Sequence, residues 1–429
     1  MLPALNYKRI ILAVLIVVIS LGLIFGVVWL IFIRNGTELG ERPTGTGEYT
    51  GGLPGTETGP GGTLVGPTGN TLPGAGDVIQ PGSGDTTVTG GGVAIAEVAE
   101  GSFTKVNSLS EDRMIEVEKD VDGFNYLSAE DNKFYRVAGR GGEKLSLSTE
   151  EFPFVDKVTW SPDGQKVILQ YPDGATISYD FTTNKKVTLP TGTEDPSFDQ
   201  NSDNIAYKYV GANEEDNWLV VSDINNNKAT AIEPIGDKGD QVQVTWSPNN
   251  QVIALYRESI GLESEEIIFI GLNDENFQSL KVAGSNFSGI WSPSGDKILY
   301  HVISSSSNYN PVLWVTDAAG DNIGNNNFNL GLMTWSDKCT FGHDGRTVYC
   351  AVPVSLPEAS GMYPDLLNDQ PDVFYQINLT TGVSKMIAYP VLSENLEKFQ
   401  AKKLFISDDD SKLYFWDNLS SKLYYVRLR

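Results

Sequence analysis

The chain has 429 residues, with 55 Asp and Glu against 31 Lys and Arg, a formal net charge of −24 with its two histidines neutral. A surface this acidic repels phosphate backbones and anionic headgroups, which argues against nucleic acid and against electrostatic docking onto lipid and leaves neutral polymers, basic proteins or cations as partners. Two cysteines and two histidines leave little material for a metal centre or for nucleophilic catalysis.

Residues 10–33 form an uninterrupted apolar run, about 24 residues or roughly 36 Å as a helix, enough to cross a bilayer. A cleavable signal peptide has an apolar centre of only about 7 to 15 residues and a small-residue cleavage site. The end of this run, Trp29-Leu30-Ile31-Phe32-Ile33-Arg34, offers no such site, so residues 1–34 read as a short tail and an uncleaved signal anchor. Lys8 and Arg9 on one side are balanced by Arg34 and Arg42 on the other. The short leading tail before a large domain then favours a cytoplasmic N-terminus, a single-pass chain, and the remainder outside, periplasmic or at the cell surface.

Residues 35–98 form the second expected segment. Between residues 36 and 92 the composition collapses to Gly, Thr and Pro, as in Thr50-Gly51-Gly52-Leu53-Pro54-Gly55. Such a stretch cannot bury a core and reads as a disordered spacer with a root-mean-square reach on the order of 40 Å.

Within residues 99–429 one phrase recurs: Trp160-Ser161-Pro162-Asp163-Gly164, Trp246-Ser247-Pro248-Asn249-Asn250 and Trp291-Ser292-Pro293-Ser294-Gly295, with Phe198 and Trp335 opening looser copies. Proline presets φ near about −65° and the late Gly or Asn accepts a left-handed conformation, so each phrase is a hinge between two strands. Branched and aromatic strands follow each hinge, such as residues 166–171, 251–256 and 297–302. Third strands are expected at 176–181, 218–224, 267–272, 312–317 and 373–379, with short fourth strands such as 186–189 and 383–387. A unit recurring roughly every forty to fifty residues is the signature of a propeller blade. The expected fold is therefore an all-β β-propeller preceded by one transmembrane helix and a disordered linker.

Inner strands ending at the repeated aromatic are expected near 114–118, 158–160, 197–198, 244–246, 289–291, 333–335 and 403–406, giving seven blades, with six as the alternative. Trp160, Phe198, Trp246, Trp291 and Trp335 read as wedges between neighbouring blades. The last unit supplies only three strands, so residues 102–107 are expected to add the missing outer strand and clasp the ring shut.

Cys339 and Cys350 lie in one hairpin and oppose each other around Asp344-Gly345. A two-residue turn makes them a hydrogen-bonded pair with α-carbons about 5.5 Å apart; a four-residue loop makes them the closer, non-hydrogen-bonded kind. A disulfide is favoured, in keeping with an oxidising compartment; two ordinary buried thiols are the alternative. His301 and His343 fall in different blades and read as structural. Nucleophile-elbow, zinc-protease and phosphate-loop motifs are absent from the sequence, and Asp408-Asp409-Asp410 replaces a hinge rather than forming a calcium loop. Accordingly no cofactor, metal or catalytic residue is assigned.

Connections from second to third strand emerge on one face of such a ring, and four successive ones are long: residues 210–217, 258–266, 303–311 and 353–371. They carry Glu214, Glu215, Asp216, Glu258, Glu263, Glu265, Glu266, Glu358, Asp365 and Asp369 with no Lys or Arg, and the longest adds Met362, Tyr363, Leu366 and Leu367. Loops on a rigid scaffold are where recognition usually lies, so these residues are the candidate binding face; solvated loops without a partner are the alternative. Charge reversal of Glu263, Glu265 and Glu266 is expected to abolish capture of a basic or cation-bridged partner.

The Trp-Ser-Pro-Asp-Gly phrase followed by a Lys-Ile-Leu-Tyr strand resembles the repeat of TolB-like, WD-repeat-like β-propellers, which also form the propeller of prolyl-oligopeptidase-like peptidases. The resemblance covers about residues 156–350 and implies an extracytoplasmic ring that docks proteins. TolB carries six blades and an additional N-terminal domain where this chain shows an anchor and spacer, and no peptidase domain is expected after Arg429. The function expected is a membrane-tethered, non-catalytic binding scaffold for a protein or polymer of the cell envelope; a propeller-fold hydrolase acting on envelope glycans or peptides is the alternative.

Overall fold

Seven small antiparallel sheets follow one another along the chain in the computed structural model, which describes residues 94–273, 275–367, 370–393 and 397–429. The apolar run at 10–33 and the spacer at 36–92 lie outside the described residues. Among the described residues no helix is long and apolar enough to cross a membrane.

Blade 1 consists of Met114–Asp120, Gly123–Ser128, Phe134–Ala138 and Leu145–Ser146, and blade 2 of Lys157–Trp160, Lys166–Gln170, Thr176–Asp180 and Lys185–Thr188. Blade 3 runs through Thr193–Phe198, Asn204–Tyr209, Trp218–Asp223 and Ala229–Pro234; blade 4 through Val242–Val244, Val252–Gly261, Ser264–Gly271 and Leu280–Ala283. Blade 5 has Ser285–Trp291, Lys297–Ile303, Val312–Asp317 and Phe328–Asn329. Blade 6 has Cys339–Phe341, Thr347–Pro353, Asp372–Asn378 and Val383–Val391, and blade 7 has Ala401–Ile406, Lys412–Asp417 and Leu423–Arg427.

The hinge serines explain why the repeat is written as it is. Ser161 Oγ accepts the Lys166 N–H at 2.9 Å, Ser247 Oγ that of Val252 at 2.9 Å and Ser292 Oγ that of Lys297 at 3.0 Å. Each hydroxyl is buried and satisfies the first backbone donor of the second strand, which the turn would otherwise leave without a partner. Gly164, Asn250 and Gly295 take the left-handed conformation that closes the turn, with φ of 64°, 59° and 69°. Ser407 repeats the arrangement with the Lys412 N–H at 2.9 Å, and Asp410 takes the left-handed position with φ 53°.

Neighbouring sheets share their cores pairwise. Leu127 and Phe134 of blade 1 pack with Trp160, Val167 and Tyr179 of blade 2. Ile168 meets Phe198 and Tyr207 between blades 2 and 3, and Ala206 and Leu219 meet Trp246 and Ile253 between blades 3 and 4. Four further clusters join blades 4 to 5, 5 to 6, 6 to 7, and 7 back to 1, where Val117 and Phe124 pack against Phe405, Tyr414 and Trp416. That last cluster closes the circle, and the architecture is an all-β, seven-bladed propeller. Trp160, Phe198 and Trp246 are the wedges expected of them, and Trp291 joins the blade 4–5 core and donates its indole N–H to Thr245 Oγ1 of blade 4 at 3.0 Å.

Two expectations are corrected. The outer strand of blade 7 is Asn107–Ser108, paired antiparallel with Tyr424 and Tyr425, whereas Ser102–Lys105 adds a fifth, parallel strand to blade 6 against Ala388–Val391. The chain thus clasps two blades rather than one before entering blade 1. The inner strand of blade 6 is Cys339–Phe341 instead of residues 333–335, because Ser336 is drawn against blade 5 and Ser336–Lys338 forms a 3-10 turn there. Trp335 consequently precedes the blade and does not occupy the wedge position of Trp160.

Cys339 and Cys350 form a disulfide directly across the strands, with α-carbons 4.1 Å apart. Gly342 N–H bonds to Thr347 O beyond a four-residue loop, which makes the cysteines the non-hydrogen-bonded pair.

Deleting residues 94–108 should leave the edge of blade 7 unpaired and remove the buried Val106, worth about 2 kcal/mol by its apolar burial alone. Sedimentation velocity should then show concentration-dependent association and calorimetry a lower melting temperature; an unchanged monomer would refute the clasp.

Candidate functional site

The tight hinges and the connections from third to fourth strand, such as those carrying Glu143 and Asp321, occupy one face of the ring, and the connections from second to third strand, together with the links between blades, occupy the other. On this second face the connections of blades 4, 5 and 6 are bonded into one shelf. The blade 4 strands Val252–Gly261 and Ser264–Gly271 run far beyond the ring, so that Glu258 pairs with Glu266 and Ser259 with Glu265 within an extended hairpin rather than a loop. At its tip Glu263 accepts the Ser305 N–H at 3.0 Å and the Ser305 hydroxyl at 2.8 Å. Those bonds, the hydroxyl's first, hold the Glu263 carboxyl below the usual range.

Ser305 opens a 3-10 turn, Ser305–Ser307, after which Asn308 and Tyr309 adopt left-handed backbone with φ of 53° and 55°. The strained pair turns two carbonyls toward blade 6, where Ala359 N–H bonds to Asn308 O at 2.8 Å and Gly361 N–H to Tyr309 O at 3.0 Å. Ser360 N–H adds a bond to Asn310 Oδ1 at 3.2 Å. Met362 and Tyr363 follow, then the 3-10 turn Pro364–Leu367.

The predicted residues therefore divide. Glu258, Glu263, Glu358, Met362, Tyr363, Asp365 and Leu366 belong to the shelf. Glu214, Glu215 and Asp216 form a separate exposed 3-10 turn on blade 3, where Asn213 Nδ2 donates to Asp216 Oδ2 at 3.0 Å. Glu265 is buried, its two oxygens accepting the N–H groups of Asn286 at 3.0 Å and Phe287 at 3.1 Å, and so pins the start of the blade 5 inner strand to blade 4. Reversing its charge would break that staple, which makes it unsuitable for testing recognition. Glu266 accepts the Ser279 hydroxyl and stands opposite Lys281, and Leu367 is buried. Asp369 lies outside the described residues.

Other polar groups on this face were not legible in the sequence. Lys338 Nζ lies 2.8 Å from Asp372 Oδ1, both deeply buried, and Asp372 Oδ2 accepts the Ala401 N–H at 2.7 Å, so one carboxylate ties blade 6 to blade 7. Burial raises the Asp372 pKa and Lys338 opposes the rise. His301 Nδ1 accepts the Ser336 N–H at 3.2 Å and lies 3.1 Å from Ser336 Oγ. Ser336 is fully buried and its hydroxyl also donates to Ser288 O at 2.9 Å, so no substrate reaches this couple and it acts as a packing contact. Burial, then the charge of Arg257, push the His301 pKa down to about 4. Phe154, on the link from blade 1 to blade 2, is solvent-exposed with φ of 63°, a conformation unusual for a bulky residue.

His343 sits on the hinge face, its Nδ1 3.0 Å from Asp410 Oδ1. A cleft of about 550 Å³ opens at the seam of blades 7 and 1, lined by Lys119, Arg140, Asp408, Asp409, Lys412 and Tyr414; Lys119 is paired with Asp408 across it. Among the described residues no three or more His, Cys, Asp or Glu are placed to hold a metal ion.

No family model matches the sequence, and no curated protein matches it. The fold is similar to oligogalacturonate lyase from Vibrio parahaemolyticus, with a TM-score of 0.47 and 10% identity over 77% of this chain and 99% of that one. It is similar to TolB from Acinetobacter baumannii, with a TM-score of 0.42 and 14% identity over 65% of this chain and 63% of that one. It is also similar to the tricorn protease, with a TM-score of 0.46 and 11% identity over 75% of this chain and 34% of that one. These are likenesses of fold alone, and the activities those names carry belong to those proteins.

Replacing Asp372 by Ala should cost about 3 to 5 kcal/mol in urea unfolding because Lys338 is left buried and unpaired; the double variant Lys338→Met, Asp372→Leu should recover most of the loss. His301 binds its proton in the unfolded chain from about pH 6.5 but in the folded ring only near pH 4. Its contribution is therefore complete above pH 6.5 and lost as pH falls toward 4, a change of roughly 3 kcal/mol. Stability of His301→Gln should fall less steeply across that window, as followed by urea midpoints at successive pH values.

Proposed function

We propose that this ring is a non-catalytic docking scaffold, held outside the cytoplasm by the 10–33 run through the 36–92 spacer. The observation that carries the reading is the bonded shelf: connections from three blades are fixed to one another and present apolar side chains to water, with Leu262 102% and Tyr363 63% exposed. Exposed apolar groups clustered on a rigid support mark an interaction site. The Cys339–Cys350 disulfide supports an oxidising compartment, as expected of a domain on the far side of the membrane. The spacer gives the ring freedom to meet partners within the adjoining envelope layer.

A photo-crosslinking residue placed at Tyr363 in the full chain, in native membranes, should give adducts with an envelope protein, and the same residue at Val121 on the hinge face should not. A parallel screen of envelope glycans and peptides should show no turnover. Turnover abolished by one carboxylate substitution would establish the hydrolase instead.

A further inference from the structure

We infer that the shelf of blades 4, 5 and 6 receives a polypeptide segment carrying basic and apolar side chains side by side. The inference rests on the docking reading above and assigns the partner by its chemistry. Ile260 and Leu262 at the hairpin tip and Met362 and Tyr363 on blade 6 are exposed on a single bonded unit. Interspersed with them are Glu258, Glu358 and Asp365, exposed and in no ion pair among the described residues.

Charge complementarity selects the occupant. Neither Lys nor Arg occurs at residues 258–280, 298–337 or 347–384. Lys238, on the link from blade 3 to blade 4, lies close enough to Glu258 to feel its charge, whereas Glu358 and Asp365 have no cation paired with them among the described residues. The bordering Arg257 is engaged, its guanidinium donating to Asp240 O and, at 3.4 Å, to Asn286 Oδ1. A partner bringing Lys or Arg supplies the missing charge, and its apolar side chains cover the exposed tips; both are required for a dry contact with satisfied polar groups. Anionic lipid, nucleic acid and a second copy of this acidic chain all meet repulsion here.

The shelf is also ready to bind. Asn308, Tyr309 and Ala359 are held in left-handed backbone by the bonds that join blade 5 to blade 6, so little ordering is left to oppose association.

The test uses the full chain in neutral-lipid nanodiscs, empty discs subtracted, and fluorescent hexapeptides alternating Lys with Leu, Lys with Ser, or Glu with Leu. The Lys-Leu peptide should bind at least about tenfold more tightly than either of the others and weaken as salt rises. Glu358→Lys with Asp365→Lys, and separately Leu262→Ser with Tyr363→Ser, should each weaken it by about tenfold, whereas the hinge-face pair Glu143→Lys, Asp321→Lys, with the same net charge change, should stay within about twofold. Unchanged melting temperatures establish that the variants are folded. Equal loss in the hinge-face pair, equal binding of the Lys-Ser peptide, or preferential binding of phosphatidylserine vesicles or of a second copy of the chain would overturn the inference. Adducts from position 363 with no Lys-Leu binding would remove this partner chemistry and leave the docking scaffold standing.

Discussion

A four-stranded sheet with apolar side chains on both faces cannot be stable alone, and everything in this molecule follows from that demand. Each blade buries its faces against its neighbours, so the seven inter-blade clusters are the core of the described residues. Such an arrangement is satisfied only when the last blade meets the first, which here requires Val117 and Phe124 to find Phe405, Tyr414 and Trp416. The outer edges impose a second demand, since an unpaired strand edge exposes backbone donors and acceptors. Asn107–Ser108 answers it for blade 7, which the chain otherwise leaves one strand short.

The polar groups divide along the same logic. Carboxylates placed between blades are used as staples: Glu265 holds two N–H groups of blade 5, Asp372 joins blades 6 and 7 through Lys338 and Ala401, and Glu263 fixes the blade 5 turn. Carboxylates at the ends of the connections, Glu258, Glu358 and Asp365, have no such duty. A large formal charge therefore conceals two populations, one consumed by architecture and one presented to solvent. The presented population shares its surface with apolar side chains, and that mixture, rather than net charge, gives the face its character.

What the sequence disclosed and what it withheld have the same physical cause. Hinges are local: a buried serine, a proline and a left-handed residue within five positions specify a turn whatever surrounds them, so the ring and its repeat were readable from Trp160, Trp246 and Trp291 outward. Blade 6 misled because its hinge, Gly342-His343-Asp344-Gly345, lacks the serine and proline, while Trp335 imitates the wedge without occupying it. The clasp was displaced because a two-residue strand has no pattern of its own; only its partners Tyr424 and Tyr425 define it. In the binding face, acidity and loop length were visible, but Glu265 and Glu258 looked equivalent in sequence. Their difference lies in backbone donors of the next blade, arriving more than twenty residues later. Lys338 and Asp372, too, are separated by the whole hairpin and long connection of blade 6, a distance no short motif records.

The parallel pairing of Ser102–Lys105 with Ala388–Val391 has a mechanical consequence. Tension applied to the chain ahead of residue 94, directed along that strand, loads its ladder in shear, so the hydrogen bonds resist together instead of parting singly as in a peeled edge. Asn107–Ser108 then stands behind it as a second lock on a different sheet. A pull that frees the first strand still has to undo the second before blade 1 is disturbed.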